Sequence, residues 1–251
     1  MCGLVGYVIG RKRRTQEEIE EIRLGLDRLL VLSEHRGRYA TGAAWIKDTG
    51  HESVVKAPMR AKQFVASGEY VRWRRSVSGR STLLIGHTRY PTLGSHFIND
   101  NNQPLASLDP TPVIVAHNGH YPDVDVLFRR FGLRRELQVD SELLLRLAER
   151  HLTPAGIRWS QLIKDIQSCR GAIAAVFATP NNPDEVLFVR RERPLCLAVN
   201  RQRQLLAFAS EEQILEAALS IPAQWVFLPI PPNRAFILVR DRLERIVFTS
   251  F

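Results

Sequence analysis

Hydrophobic and polar positions along the chain follow two different periods. Cys2–Ile9 is a nearly unbroken apolar, β-branched run that reads as a buried strand. Thr15 is placed to cap a helix whose first turn carries Glu17 and Glu18. Ile19, Ile22, Leu26, Leu29 and Leu30 then recur at helical spacing to about Ser33. Short strands are predicted near Gly42–Lys47 and Ser53–Lys56. Ser81–His87 and Pro112–His117 are further strands, each closing on a histidine. Between them runs Tyr90–Asp109, rich in Asn, Pro, Gly and Ser and too long for a plain connection; loops of that length inside compact domains are commonly functional. Asp140 or Ser141 opens a helix to about His151, with leucines at 143, 144 and 147 on one face, and a second helix fits Ser160–Ser168. The C-terminal third reads as strands at Gly171–Ala178, Glu185–Arg190, Leu195–Val199 and Leu205–Ala209, then a short helix at Glu211–Leu219. Strands near Trp225–Leu228, Arg234–Val239 and Glu244–Phe248 complete it. No internal repeat, low-complexity segment or linker interrupts the pattern. Many strands with a few intercalated helices predict one α+β domain built on packed sheets.

Composition narrows the class. The 251 residues are 45% hydrophobic and 24% charged, values that exclude a disordered, collagen-like or coiled-coil chain. No apolar run reaches the roughly 18–20 residues needed to span a bilayer. The charge of the first segment, MCGLVGYVIGRKRR, follows its apolar stretch, the reverse of a secretory signal. Cys2, Cys169 and Cys196 are odd in number and too dispersed for a zinc motif or a disulfide framework, so the expected setting is the cytoplasm, with no membrane association. The net charge is +9, and only five basic residues are lysine (Lys12, Lys47, Lys56, Lys62, Lys164) against 30 arginines. That balance permits binding to nucleic acid, an acidic partner or an anionic substrate. The arginines are spread along the chain without an aromatic-interleaved stripe, so genomic arginine bias on solvated faces accounts for them as well. The densest cluster, Arg11-Lys12-Arg13-Arg14, reads as an exposed loop.

Four segments could carry chemistry. Cys2 is followed by glycine, and its small side chain makes Met1 removable. Cys2 would then hold both a thiol and a free α-amine, whose ordinary pKa of about 7.7–8 lets it accept a proton near neutrality. The alternative is a small buried hydrophobe at a strand start. Gly86-His87-Thr88-Arg89-Tyr90-Pro91-Thr92 ends a strand on a guanidinium able to grip a carboxylate bidentately, or simply to pair with a local acid. His117-Asn118-Gly119 is either a turn or a side-chain amide next to an unhindered backbone N–H, the donor pair of an oxyanion hole. Asp140 is either a helix N-cap or a carboxylate for a substrate ammonium. Together the four describe a receptor for a free α-amino acid whose side-chain amide a thiol attacks, and glutamine fits that description.

These segments resemble the class II glutamine amidotransferase domain of the N-terminal nucleophile hydrolases, as carried by glucosamine-6-phosphate synthase and glutamine phosphoribosylpyrophosphate amidotransferase. The matching pieces run in order from Cys2-Gly3-Leu4-Val5-Gly6 through His35-Arg36-Gly37 with Gly42 to Gly86-His87-Thr88-Arg89-Tyr90 with Thr92 and Gly94. Asn102-Gln103-Pro104, His117-Asn118-Gly119 and Asp140-Ser141-Glu142 follow, with weaker echoes at Gly171-Ala172, Arg193-Pro194-Leu195 and Ala209-Ser210-Glu211. The resemblance implies a four-layer αββα sandwich. It also implies Cys2 as a nucleophile activated by its own α-amine, with Asn118 and the Gly119 N–H as oxyanion donors. Arg89 would hold the glutamine carboxylate and Asp140 its ammonium, while Arg36 would position the Cys2 terminus. Thr92 would lie in the loop closing over glutamine, with Tyr90 lining it. No metal and no organic cofactor is implied. The family segment Arg-Gly-x-Asp-Ser-x-Gly appears here as Arg36-Gly37-Arg38-Tyr39-Ala40-Thr41-Gly42. Leu93 stands where some members have histidine, and His120 follows the Asn-Gly pair. Residues 1–251 are expected to be a single amidotransferase domain with no fused synthase domain. The favoured expectation is a subunit that supplies ammonia to a separate synthase or acceptor enzyme. A free-standing amidohydrolase of glutamine or another γ-glutamyl amide, and a non-catalytic basic regulatory or nucleic-acid-binding module, are the alternatives.

Overall fold

The computed structural model describes residues 1–107 and 112–251. Residues up to 89 supply β1 (Gly3–Ile9), α1 (Gln16–Leu32), β2 (Ala40–Lys47), β3 (Glu52–Ala57), α2 (Ala61–Ala66), α3 (Gly68–Arg75) and β4 (Ser81–Arg89). The middle of the chain supplies β5 (Leu105–Ala106), β6 (Ile114–His120), α4 (Val124–Phe131), α5 (Glu142–Arg150), β7 (Leu152–Thr153) and β8 (Gly156–Ile157). It continues with α6 (Trp159–Gln167), β9 (Ala172–Ala178) and β10 (Glu185–Arg191). The last part adds β11 (Cys196–Asn200), β12 (Leu205–Ala209), α7 (Glu212–Ala218), β13 (Val226–Pro229), β14 (Arg234–Val239) and β15 (Thr249–Ser250).

Two antiparallel sheets result, one in the order β13-β11-β12-β1-β4-β2-β3 and the other β15-β14-β10-β9-β6-β5; β7 and β8 pair by themselves. The strand period of two decides the layers. Along β1, Val5, Tyr7 and Ile9 face α1 and α7 and pack with Leu26, Leu29 and Leu215. Leu4 and Val8 face the second sheet and pack with Ile114, Ala116, Val176 and Phe188. On the far side, Val113 and Val115 meet Leu143, Leu144 and Leu147 of α5 and Leu162 of α6. Helix, sheet, sheet and helix are therefore stacked as the expected αββα sandwich.

Local signals explain most elements. Thr15 Oγ1 accepts from Glu18 N at 3.2 Å while Glu18 Oε2 accepts from Thr15 N at 3.0 Å, a reciprocal capping box that fixes the start of α1. Helices α2, α3 and α4 are not predicted by the pattern. α2 buries only Ala61 and Phe64, and α3 only Tyr70 and Trp73, too few positions for a readable stripe. β4 and β6 run past the predicted histidines to Arg89 and His120. Glu244–Phe248 is not a strand. Leu243 is drawn into the core between the sheets and Val247 stays exposed, so the ladder to β14 forms only at Thr249 and Ser250. Within the predicted loop Tyr90–Asp109 the chain makes a 3-10 turn at Asn99–Asn101 and then β5; its last two positions lie outside the described residues. Among the described residues no helix is long and apolar enough to cross a membrane.

Phe188 ties the sheets together. Its ring stacks on Phe236 at 4.9 Å and meets Phe208 of the opposite sheet edge-on at 5.2 Å. Phe188→Ala should therefore lower the unfolding free energy by about 3–5 kcal/mol. Denaturant titration checks this, and a loss below about 1 kcal/mol would show that the neighbours close the gap.

Candidate active site

Cys2 lies at the head of β1, which is hydrogen-bonded on both sides, to β4 and to β12. Strand alternation turns its side chain the same way as Leu4, toward the space between the sheets. The sulfur sits against the backbone of Tyr90: Tyr90 N donates to Sγ at 3.4 Å, and the thiol donates to Tyr90 O at 3.5 Å. Burial pushes the thiol pKa up. The Tyr90 N–H, the terminal ammonium and Arg89 pull it partly back, and Asp140 adds to the rise. A thiol held in its neutral form at pH 7 needs a base to attack.

Arg36 holds the terminus. Its guanidinium is buried; Nε donates to Cys2 O at 2.8 Å and Nη1 pairs with Glu211 Oε1. Glu211 also bonds His35, Nε2 to Oε2 at 2.8 Å. Burial raises the Glu211 carboxyl, but His35 and Arg36 outweigh it and hold the group below its ordinary value.

Arg89 closes β4 beside Cys2 and faces the same inter-sheet space. Its terminal nitrogens are engaged by its own loop: Nη2 donates to Leu93 O at 2.7 Å and Gly94 O at 3.0 Å, and Nη1 to Asn102 Oδ1 at 2.7 Å. In this conformation Arg89 organises the loop, and only Nε lacks a protein acceptor among the described residues. Tyr90 contributes its backbone to the sulfur while its ring is exposed. Thr92 is exposed on the loop and is not brought to any other site residue.

Asn118 and Gly119 lie within β6 rather than in a turn, opposite Ala174 and Ile173 of β9. Asn118 Nδ2 is buried and has no hydrogen-bond partner among the described residues. His117 N donates to Gln103 Oε1 at 2.6 Å and His117 O accepts from Gln103 Nε2 at 3.0 Å, so the backbone of His117 points away from β9. Two residues on, the Gly119 N–H points to that same side, where β5 pairing has already ended at Val115. A Cβ on Gly119 would sit 2.0 Å from Ala172 O, so the strand admits only glycine here. Asp140 is buried but does not cap α5. Its Oδ2 accepts from Tyr121 N at 2.8 Å and lies 3.4 Å from His120 Nδ1, while Oδ1 takes no protein hydrogen bond among the described residues.

The structure thus brings Cys2, Arg36, Arg89 and the Tyr90 backbone together at the head of β1. It sets Asn118 and Gly119 side by side on β6, with Asp140 and Arg89 both bearing electrostatically on the thiol. Sequence reasoning missed the supporting side chains. Gln103 and Ser141 frame His117, with Ser141 Oγ 2.9 Å from His117 Nδ1, and Glu211 locks Arg36. Gln103, Ser141 and Glu211 all fall inside the matched segments, which was the available signal. A cavity of about 910 Å³ opens elsewhere, between β3, β5 and α5, and does not include Cys2. No cluster of three or more His, Cys, Asp or Glu suited to a metal ion occurs among the described residues.

Two sheets sandwiched between helices, with a cysteine leading a central strand toward an amide donor on the facing sheet, define a class. In sequence and in fold the chain is similar to the class II glutamine amidotransferase domains. Among individual relatives, it is 30% identical over 214 residues to glutamine–fructose-6-phosphate aminotransferase of Encephalitozoon cuniculi, covering 79% of this chain and 30% of that protein. It is 27% identical over 214 residues to amidophosphoribosyltransferase of Pasteurella multocida, covering 76% and 39% respectively. The chain therefore spans roughly a third of the length of the curated relatives it matches. In fold it resembles glutamine phosphoribosylpyrophosphate amidotransferase from B. subtilis, with a TM-score of 0.71 at 20% identity over 99% of this chain and 49% of that one. A glutamine aminotransferase class-II domain protein from Silicibacter pomeroyi matches at a TM-score of 0.53 and 14% identity, over 100% and 99% of the two chains. No protein-family model matches the chain.

His87 gives the site a pH signature in stability. Burial pushes its imidazole down to about 3; Arg89 and His117 add to the fall, against the raising effect of the bond from Nε2 to His117 O. Above pH 6.5 the ring is neutral in both states and contributes no pH dependence. Below that the unfolded chain takes up a proton that the folded one refuses until about 3, so stability falls as pH drops through this window. The slope is about 1.4 kcal/mol per pH unit. His87→Gln should remove roughly 3 kcal/mol of the stability difference between pH 7 and pH 4.5, measured by urea titration at both values. An unchanged difference would contradict a neutral buried His87.

Proposed function

We propose that this protein hydrolyses the side-chain amide of glutamine through a Cys2 thioester, giving glutamate and ammonia. The observation that carries the reading is the buried Asn118 Nδ2, without a hydrogen-bond partner among the described residues, beside the open-edge Gly119 N–H on the strand facing the head of β1. With Met1 removed, the Cys2 α-amine accepts the thiol proton through a water and the sulfur adds to the amide carbonyl. Asn118 Nδ2 and Gly119 N–H hold the resulting oxyanion. Its collapse breaks the C–N bond, the α-ammonium protonates the departing nitrogen, and ammonia leaves. Water then adds to the thioester and frees glutamate and the thiol.

In the same reading Asp140 Oδ1 receives the substrate ammonium, and Tyr90 and Thr92 border the bound side chain. Arg89 faces the substrate carboxylate. A bidentate grip requires the carbonyls of Leu93 and Gly94 to give up Nη2, so binding of the carboxylate and rearrangement of the loop are coupled. Arg36 keeps the Cys2 carbonyl fixed while the amine works. In this proposal a separate synthase subunit accepts the ammonia. A cytoplasmic setting keeps Cys2, Cys169 and Cys196, all free thiols, reduced.

Incubation with the glutamine-analogue electrophile 6-diazo-5-oxo-norleucine, read by intact mass, tests the reading. The expected product lacks Met1 and carries one adduct on Cys2, and Cys2→Ala should lose both the adduct and glutamine turnover. A free N-terminal Cys2 that never labels would sink it. Asn118→Ala should lower kcat on the order of 10²–10³ while the thiol still alkylates.

A further inference from the structure

Tyr39 occupies a position where this sequence departs from the family segment, between the arginine that holds the terminus and the start of β2. Its backbone N–H donates to Arg89 O at 3.1 Å. Its ring meets Tyr90 edge-on, with centroids 5.3 Å apart and planes at 88°, and meets His96 at 5.3 Å and 68°. The ring thus touches both ends of the loop 90–96. From the inner side that loop is held by Arg89 on the carbonyls of Leu93 and Gly94, by Asn102 Nδ2 on His96 O at 2.8 Å, and by Gln138 Oε1 on Ser95 N at 3.0 Å. Tyr39 supplies the outer side.

The consequence reaches the nucleophile through the backbone. The hydrogen bonds of Cys2 Sγ among the described residues are those to Tyr90 N and Tyr90 O. A loop that lifts at Tyr90 withdraws a donor from the sulfur, and a backbone N–H on sulfur favours the thiolate. We propose that Tyr39 is a positioning residue, an aromatic clasp that keeps the loop 90–96 seated and so holds the Tyr90 N–H against Cys2 Sγ. The Tyr39 hydroxyl makes no hydrogen bond among the described residues, so the ring alone does the work. The steady-state consequence rests on the proposed glutamine chemistry, whereas the consequence for thiol reactivity does not.

The test uses the full chain with Met1 removed, as wild type, Tyr39→Ala and Tyr39→Phe. The rate of Cys2 alkylation by iodoacetamide is measured across pH, with the other two thiols resolved by peptide mass, alongside the glutamine KM and kcat. Tyr39→Ala should move the alkylation profile up by about half to one pH unit. It should also lower kcat by about three- to tenfold at pH 7, the loss of thiolate that such a shift implies. Tyr39→Phe should match wild type in both. Superimposable alkylation profiles for all three overturn the clasp. If none of the three turns over glutamine, the alkylation arm still decides Tyr39 and the failure belongs to the proposed function. Should Tyr39→Ala not fold, His96→Ala removes the clasp from the loop side and must shift the profile in the same direction, or the proposal falls.

Discussion

The end of a chain is ordinarily its loosest part, and here the end is tied down on three sides. β1 runs between β4 and β12, pairing Gly3 with Thr88 on one flank. On the other, Leu4 N donates to Ser210 Oγ at 2.9 Å and Leu4 O accepts from Ser210 N at 2.8 Å. The carbonyl of residue 2 is then caught by Arg36, itself locked by Glu211 at the start of α7. Freedom that the Cys2 thiol would otherwise keep is thus removed during folding, and its placement comes ready-made. The two strands and the guanidinium make residue 2 as well placed as a residue in mid-sheet.

The same principle governs the facing sheet and shows what the sequence could disclose. Apolar runs and their period located every described strand longer than two residues, because apolar positions buried against a neighbouring layer leave a readable signature. The order of motifs from Cys2 to Asp140 marked the candidate site. Local rules failed where long-range contacts overrode them. Asn-Gly is a turn signal by its own chemistry, yet the ladder from Asn118 to Ala174 and Gly119 to Ile173 keeps the strand going, and the glycine is there because Ala172 O leaves no room for a Cβ. Asp140 has the composition and place of an N-cap, but Tyr121 N takes its carboxylate and α5 starts without a side-chain cap. Gln103 and Ser141 carry no periodic signal, and their task of clamping His117 exists only once residues far apart in sequence meet.

The arginine excess, ambiguous from composition, acquires a structural meaning from where the guanidinium groups point. Arg14 donates to Arg203 O and Gln204 O, Arg28 to Ala218 O, Arg191 to Cys169 O, and Arg240 to Ile9 O at 2.7 Å. With Arg36 and Arg89, these groups satisfy carbonyls at strand ends and loops, where the ladders stop and the acceptors would otherwise be stranded. A planar fork with five donors can serve two such carbonyls at once and remains charged when buried, which a lysine ammonium does poorly. The +9 charge therefore says less about a polyanionic partner than its size suggests. At the site this usage has a sharper edge: Arg89 is at once the brace of the loop and a cation that acts on the thiol. A lysine there would keep the charge but lose the Leu93, Gly94 and Asn102 bonds that shape the loop, so charge and shape at this position are inseparable.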